Sequence, residues 1–257
     1  LVPFSGGKDS VYLLYKLRVE CNLNVLAYTT NANIPDLAWK NIHSTLKKLD
    51  VDHISYSPSP GLYKKLFHYL FQHQEQRGAV YTISYVYAPL FEGDALRLAM
   101  EKNIPLVLAG YSPGQPEPER MLYEFAPKLI QQTDWTPPAL KDSGVFSEEE
   151  LGYFFNPHSY PQGTQFPRYL APFHAWTYSQ ERIMSEVVRL KLVPSARHTN
   201  PILTNYPINW LCMYSDLKHF GYNPYQPEFS ALIREGKASR LYWRIMRPIV
   251  NTMIDKK

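Results

Sequence analysis

The stretch from Leu1 to Ser10 constrains this chain more than any other. A short apolar run, Leu1 to Phe4, meets Ser5-Gly6-Gly7-Lys8-Asp9-Ser10, and the periodic apolar stretch VYLLYKL follows. That order reads as strand, glycine turn, then helix. The two glycines admit backbone conformations that a Cβ forbids and let an anion come close. Amides of the turn and of the first helical turn point the same way, where the helix dipole also favours negative charge. Lys8 adds a point charge, and Ser5 and Ser10 add hydroxyl donors. The unit is suited to holding phosphate. A plainer reading stands beside it, because Ser-Gly-Gly is ordinary turn chemistry and Asp9 is a residue type that caps helices.

What surrounds this stretch is a chain of 257 residues, enough for one large α/β domain with an appendage or for two small domains. Apolar content of 45% supports a sizeable core. No segment reaches the roughly 18 apolar residues of a membrane span, and no signal peptide is evident, so a cytoplasmic location is expected. The sequence opens inside a strand-like run with no initiator Met, which suggests residues upstream. Two cysteines, Cys21 and Cys212, make neither a disulfide framework nor a four-ligand metal site by themselves. A net charge of +4 fits phosphate handling without demanding a nucleic-acid partner. Pro 22 and an aromatic share of 14% suggest long structured loops with many rigid turns.

Taken in order, helix one is predicted from about Asp9 to Cys21, with Val11, Leu13, Leu14 and Leu17 on its apolar face. Val25 to Tyr28 reads as a second strand. Asn31 and Asn33 lie just past it, where ligands sit in open α/β sheets, and Asn31 is a candidate to frame an adenine. Both asparagines are also plain turn formers. A helix over Pro35 to Leu49 leads to a third strand in VDHISYS, read from its imperfect alternation as buried on both faces. Helical stretches over 61–76 and 86–102 lead to Ile104–Gly110, a fourth strand ending in glycine. Strands alternating with helices argue a doubly wound parallel sheet.

From Tyr111 to about Pro167 the chain turns rich in Pro, Gly, Glu and aromatics, with short helical pieces at 118–129 and 147–154. A loop this long is usually functional or mobile, and it reads as a substrate-side lid or insertion. Gln115, Glu117 and Glu119 near its start are candidates for substrate or Mg²⁺ contact, with solvated surface as the plainer alternative. His174 beside Trp176 is open to two readings, a ligand-contacting histidine or a hydrogen-bonded packing residue. Ser179 looks like the N-cap of a helix to about Lys191. A polar loop, 197–205, precedes helical runs at 208–220, 227–235 and 238–253. Expected boundaries are therefore 1–112 for a phosphate-holding α/β domain, 113–170 for the insertion and 171–257 for a mainly helical C-terminal domain.

The hexapeptide Ser5–Ser10 lacks the G-x-x-x-x-G-K-S/T spacing of a Walker P-loop. It resembles instead the SGGxDS signature of the N-type ATP pyrophosphatases, the PP-loop enzymes, whose loop grips the pyrophosphate of ATP. The resemblance implies a parallel five-stranded sheet and cleavage of ATP between its α and β phosphates with Mg²⁺ as cofactor. It implies ATP contacts from Ser5, Gly6, Gly7, Lys8, Asp9, Ser10, Tyr28, Asn31 and Gly110. Within that set Lys8, Asp9 and Ser10 are the catalytic candidates, and Asp9, the one acid in the motif, is the candidate Mg²⁺ ligand. Gly110 matches the glycine that lies against the α-phosphate side of ATP in this family.

A narrower likeness spans more of the chain. Arg168-Tyr169-Leu170-Ala171-Pro172-Phe173-His174 through Ser179, Pro201 with Thr204-Asn205, GYNPY at 221–225 and LIREGK at 232–237 resemble the branch that includes N-acetyl sugar amidotransferases of surface-polysaccharide synthesis. That branch implies a sugar-nucleotide or small-molecule acceptor and a glutaminase partner; Gln115, His174 and Asn205 are the substrate candidates, with a homodimer as a further expectation. Cysteines usual in the branch are absent from 78–85 and from 204–206, so no zinc or iron–sulfur ligands are predicted. The first hypothesis is an adenylating amidotransferase-like ligase. The second is a thiolating enzyme on a nucleobase, tRNA or natural product, needing a sulfur-donor partner. The third is a non-catalytic nucleotide-binding protein, disfavoured by the intact loop.

Overall fold

A computed structural model describes residues 1–113 and 124–256 of the chain. Gln115, Glu117 and Glu119 lie outside the described residues. The first half runs β1 (Val2–Pro3), α1 (Lys8–Tyr15), β2 (Leu26–Thr30), α2 (Asp36–Leu49), β3 (Asp52–Tyr56), α3 (Pro60–Gln72), α4 (Ala79–Glu101) and β4 (Leu106–Leu108). The middle holds β5 (Glu124–Phe125), α5 (Pro127–Gln132), α6 (Pro138–Lys141), α7 (Glu148–Leu151) and β6 (Arg168–Leu170). Four helices end the chain: α8 (Gln180–Arg189), α9 (Pro207–Phe220), α10 (Gln226–Arg234) and α11 (Arg240–Asp255). Among the described residues, no helix is long and apolar enough to cross a membrane.

The fold is α/β with parallel strand pairing. β1, β2 and β3 pair in parallel, and Tyr28 on the central strand stands opposite Pro3 on one side and Ile54 on the other. In a second sheet β6 lies between β4, which it pairs in parallel, and β5, which it pairs antiparallel. The Leu1 nitrogen donates to the Leu106 carbonyl at 2.8 Å and Leu108 N–H donates to the Leu1 carbonyl at 2.9 Å, so β4 sits beside β1. The expected single five-stranded parallel sheet is therefore corrected to two three-stranded sheets, the second with an antiparallel edge. The physical reason is the brevity of β1, which covers only 2 residues before the chain turns into the glycine loop and so carries no continuous ladder to β4.

Side-chain alternation along β4 shows how the layers form. Leu106 and Leu108 pack with Phe4, Leu14, Phe173 and Val187, whereas Val107 and Ala109 pack with Leu96, Trp135 and Phe155. A period of two with both sides apolar is what a strand covered on both faces requires. The first of these clusters also takes in Ile42, Ile183 and Trp243, so the two ends of the chain share one core. β3 departs from expectation. It is an edge strand with Asp52, Ser55 and Tyr56 exposed, and its imperfect alternation reflects one missing neighbour rather than burial on both faces.

Helix one also ends differently from its prediction. α1 passes into a π turn over Lys16–Glu20, and Cys21 just after it is exposed. At the start of α4 the helix cap comes from elsewhere in the chain. Asp216 of α9, 1% exposed, accepts from Ala79 N–H at 2.6 Å and Val80 N–H at 2.9 Å. Gly78 precedes that cap at φ +96°, where a Cβ would stand 2.5 Å from the Asp216 carboxylate. One acid thus satisfies two helix-start amides and ties α9 to α4.

Candidate active site

The glycine loop takes its shape from close packing on three sides. Gly6 has φ +74°, and a Cβ there would lie 2.4 Å from the Ala38 carbonyl oxygen of α2. Asn41 of α2, fully buried, donates from Nδ2 to the Gly6 carbonyl at 2.8 Å and to the His198 carbonyl at 2.8 Å, pinning loop and helix together. On the far side, a Cβ on Gly110 would stand 2.9 Å from both Cα and N of Ser10. Strand β4 therefore ends in van der Waals contact with the first turn of α1, and only glycine permits it.

Gly7 is the N-cap of α1 and gives it no side-chain cap. The first amides of a helix have no partner within it, so this terminus is free to face a ligand. Ser10 Oγ donates to the Gly7 carbonyl at 3.0 Å and lies 3.3 Å from Ser5 Oγ, placing both hydroxyls on one rim. Lys8, 4% exposed, bonds to Asp9 Oδ2 and donates from Nζ to Tyr178 OH at 3.2 Å. Tyr178 OH in turn donates to Asp9 Oδ1 at 3.0 Å. Lysine, aspartate and tyrosine close a ring at the mouth of α1.

This ring opens on a cavity of about 290 Å³. Of the sequence candidates, Ser5, Gly7, Lys8, Asp9, Ser10, Tyr28, Gly110 and Asn205 line it, while Gly6 stands behind the loop. Asn31 and His174 do not. Asn31 donates to Ser57 Oγ at 3.2 Å and accepts from Ile34 N–H at 3.3 Å, the behaviour of a turn former. His174 hydrogen-bonds the backbone of Ser112 in a packed turn, and burial, then the Lys237 charge, lowers its pKa to about 4. Gln115 lies outside the described residues.

Several wall residues were not singled out as site residues in the sequence. Tyr178 lies just before α8, Gln180 opens α8 and Glu228 lies on α10, and Tyr178 reaches Lys8 across 170 residues of chain. Gln180 is 1% exposed and its Nε2 has no partner among the described residues. Glu228 accepts from Ser112 Oγ at 3.1 Å. Burial lifts its carboxyl, with Lys8 and Ser112 opposing and Asp9 assisting, to about 7. A carboxyl that shares its proton near neutrality, across from a lysine and a phosphate-shaped loop, is suited to proton transfer.

Among the described residues no group of three or more His, Cys, Asp or Glu is placed to hold a metal. Mg²⁺ asks less, since it is commonly held by one or two carboxylates plus substrate phosphates. Asp9 faces the cavity beside Lys8, and one carboxylate together with substrate phosphates fits it. Neither cysteine lines the cavity, and Cys212 is fully buried with its thiol pushed up to about 12 by burial.

No protein-family model and no curated protein matches the chain. Among solved structures it is similar to NMN synthetase from Francisella tularensis, at 13% identity over 92% of this chain and 76% of that one, with a TM-score of 0.42. It is similar to the U34-tRNA thiolase NcsA from Methanococcus maripaludis with its 4Fe-4S cluster, at 12% identity over 89% and 69%, TM-score 0.42. A predicted subunit of tRNA methyltransferase from Methanocaldococcus jannaschii gives 16% identity over 87% and 89%, TM-score 0.39. Likenesses this distant assign no family, and function is argued from the site's own residues.

Proposed function

We propose that the chain is an ATP-dependent adenylating enzyme of the PP-loop type, an amidotransferase-like ligase that forms AMP and pyrophosphate. It activates a carbonyl oxygen of a small molecule or sugar nucleotide as the adenylate and replaces that oxygen with nitrogen. The observation that carries this reading is the uncapped start of α1. A glycine N-cap, a buried lysine and two hydroxyls face one cavity there, with Gly110 packed against Ser10.

The β and γ phosphates of ATP lie along the loop, held by its amides and by the hydroxyls of Ser5 and Ser10. The carbonyl oxygen attacks the α-phosphorus, the α–β bond breaks, and pyrophosphate departs with the electron pair. Lys8 and the amides are preorganised for the charge that grows on that leaving group, so they act most strongly in the transition state. Asp9 and Tyr178 hold the Lys8 ammonium in place beforehand. Asp9 would hold Mg²⁺, which would supply charge neutralisation of the phosphates when bound. In the second half ammonia attacks the activated carbon, Glu228 accepts a proton from it, and AMP leaves with the original oxygen. A glutaminase partner belongs to this reading as the source of ammonia.

Incubation with ATP, Mg²⁺, ammonium and candidate acceptors tests it. AMP and pyrophosphate are expected, and Lys8→Ala should abolish them in a protein that still melts cooperatively. ADP and phosphate as products would refute the proposal. Thiolation at this site would need outside sulfide or persulfide, because neither Cys21 nor Cys212 lines the cavity.

A further inference from the structure

Beside the phosphate-facing cavity lies another, of about 240 Å³, between α10 and α11. Its floor is aromatic: Trp243 stacks on Phe229 with ring centroids 3.5 Å apart. Its rim carries Arg240, Arg244 and Arg247 of α11. Spacings of four and three put all three on one helix face, and they span about 10 Å along the axis. Among the described residues no carboxylate lines this cleft. Acids on the neighbouring elements are already engaged, Glu235 with Lys237 at 2.7 Å, Glu181 with Ser239 N–H at 2.6 Å, and Asp255 with Lys218. None of the three arginines has an ion-pair partner among the described residues.

Three guanidinium groups on one face without a counter-charge repel one another, and an anion seated among them relieves that repulsion. Their planar forks match phosphoryl oxygens two at a time. The aromatic floor offers stacking area to a ring. Position adds a constraint, because Ile202, Tyr225 and Phe229 line both cavities, so a molecule held at the arginines adjoins the loop that faces ATP.

We propose that this cleft binds a phosphate- or diphosphate-bearing small molecule and is the anion subsite of the acceptor. The word acceptor rests on the function proposed above; the binding itself does not. An anchor at the arginines holds one end of the molecule while its carbonyl reaches past Tyr225 and Phe229 toward the α-phosphate of ATP. A polynucleotide fits poorly, since a recessed cleft with three cations over about 10 Å meets only one or two phosphates of a backbone.

The test is a calorimetric titration with inorganic pyrophosphate and with uridine diphosphate. Lys8→Ala protein is used so that the glycine loop contributes little. It is compared with the same protein also carrying Arg240→Ala, Arg244→Ala and Arg247→Ala. The first should bind both probes, and the second should bind them more weakly, by about tenfold for each charge-assisted hydrogen bond removed. The arginine side chains are exposed and alanine favours helix, so the fold should persist, which a thermal melt checks. If the triple variant melts early, Arg244→Lys keeps the charge, loses the fork and should show a smaller loss of the same sign. Absence of binding to the Lys8→Ala protein, or affinity unchanged in the arginine variants, would overturn the inference. So would arginine-dependent binding of bulk tRNA without binding of pyrophosphate. If the wild type forms no AMP while arginine-dependent binding persists, the adenylation reading has failed and the anion site stands.

Discussion

Glu92→Gln should make the protein more stable, and increasingly so as pH rises. Glu92 lies on α4 with 4% of its surface exposed, and its Oε1 accepts from Tyr111 OH at 3.1 Å. Tyr169 OH closes the group, 3.4 Å from the Tyr111 hydroxyl. Burial raises the Glu92 carboxyl from 4.5 to about 8, against the opposing pull of the Tyr111 hydrogen bond. The unfolded chain releases this proton above about 4.5 and the folded chain keeps it to about 8. Between those values the folded state holds one proton more, so stability is full below the lower value and falls as pH rises toward the upper. Each pH unit corresponds to about 1.4 kcal/mol, which makes the cost at neutral pH about 3 kcal/mol. Glutamine keeps the shape and an acceptor for Tyr111 while removing the titration. Urea unfolding of both proteins from about pH 5 to about pH 8 measures the difference, in which titrations common to the two proteins cancel. The variant's advantage should grow steadily to about 3 kcal/mol near neutrality. An advantage that does not change with pH would refute the assignment of a buried neutral carboxyl at Glu92.

Three other perturbations follow from the same geometry. Gly110→Ala sets a methyl 2.9 Å from the backbone of Ser10, which cannot yield as a side-chain tip would. It should cost about 1–3 kcal/mol in a thermal melt and weaken ATP binding as well; a silent substitution would deny the close approach. Burial pushes Glu228 up to about 7, so AMP formation at a fixed concentration of free ammonia should rise with pH through that value in the wild type and be low and flat in Glu228→Gln. The same rising profile in the variant would remove Glu228 from the reaction. Asp216→Ala strips the cap from Ala79 and Val80 and leaves two interior amides unpaired, for an expected loss of about 2–4 kcal/mol. An unchanged melting temperature would show that α4 does not depend on that cap.

How much of this was legible in the sequence depends on whether the determinant is local. Ser5–Ser10 could be read directly, since a strand, two glycines and a helix start fix the backbone without outside help. Gly110 was legible as a strand-ending glycine, although its packing on Ser10 needs β4 to sit beside β1. Asn41 looks like any helix residue in sequence, yet its amide holds the Gly6 carbonyl. Nothing local marked Tyr178, Gln180 and Glu228 as site residues, because their place comes from α8, the turn before it and α10 docking across the loop. His174 was open to two readings, and its hydrogen bond to the Ser112 backbone outside the cavity is the packing one. The third strand misled because one missing neighbour and double burial both blur alternation.

That division has a physical consequence for the site. The phosphate-facing half is made of backbone: amides at the head of α1, a positive-φ glycine at 6, and a glycine at 110 that admits no Cβ. Such a half tolerates almost no substitution, and it recognises only what phosphate groups share. The opposite half is made of side chains on α8, α10 and α11, elements that share with α1 the core containing Leu14, Ile183, Val187 and Trp243. Exchanging Glu228 or Arg244 there leaves the loop geometry standing while altering what lies across from it. On the proposed function, the grip on ATP would be set by the constraints of a turn, and the choice of acceptor by helix faces that can vary one residue at a time.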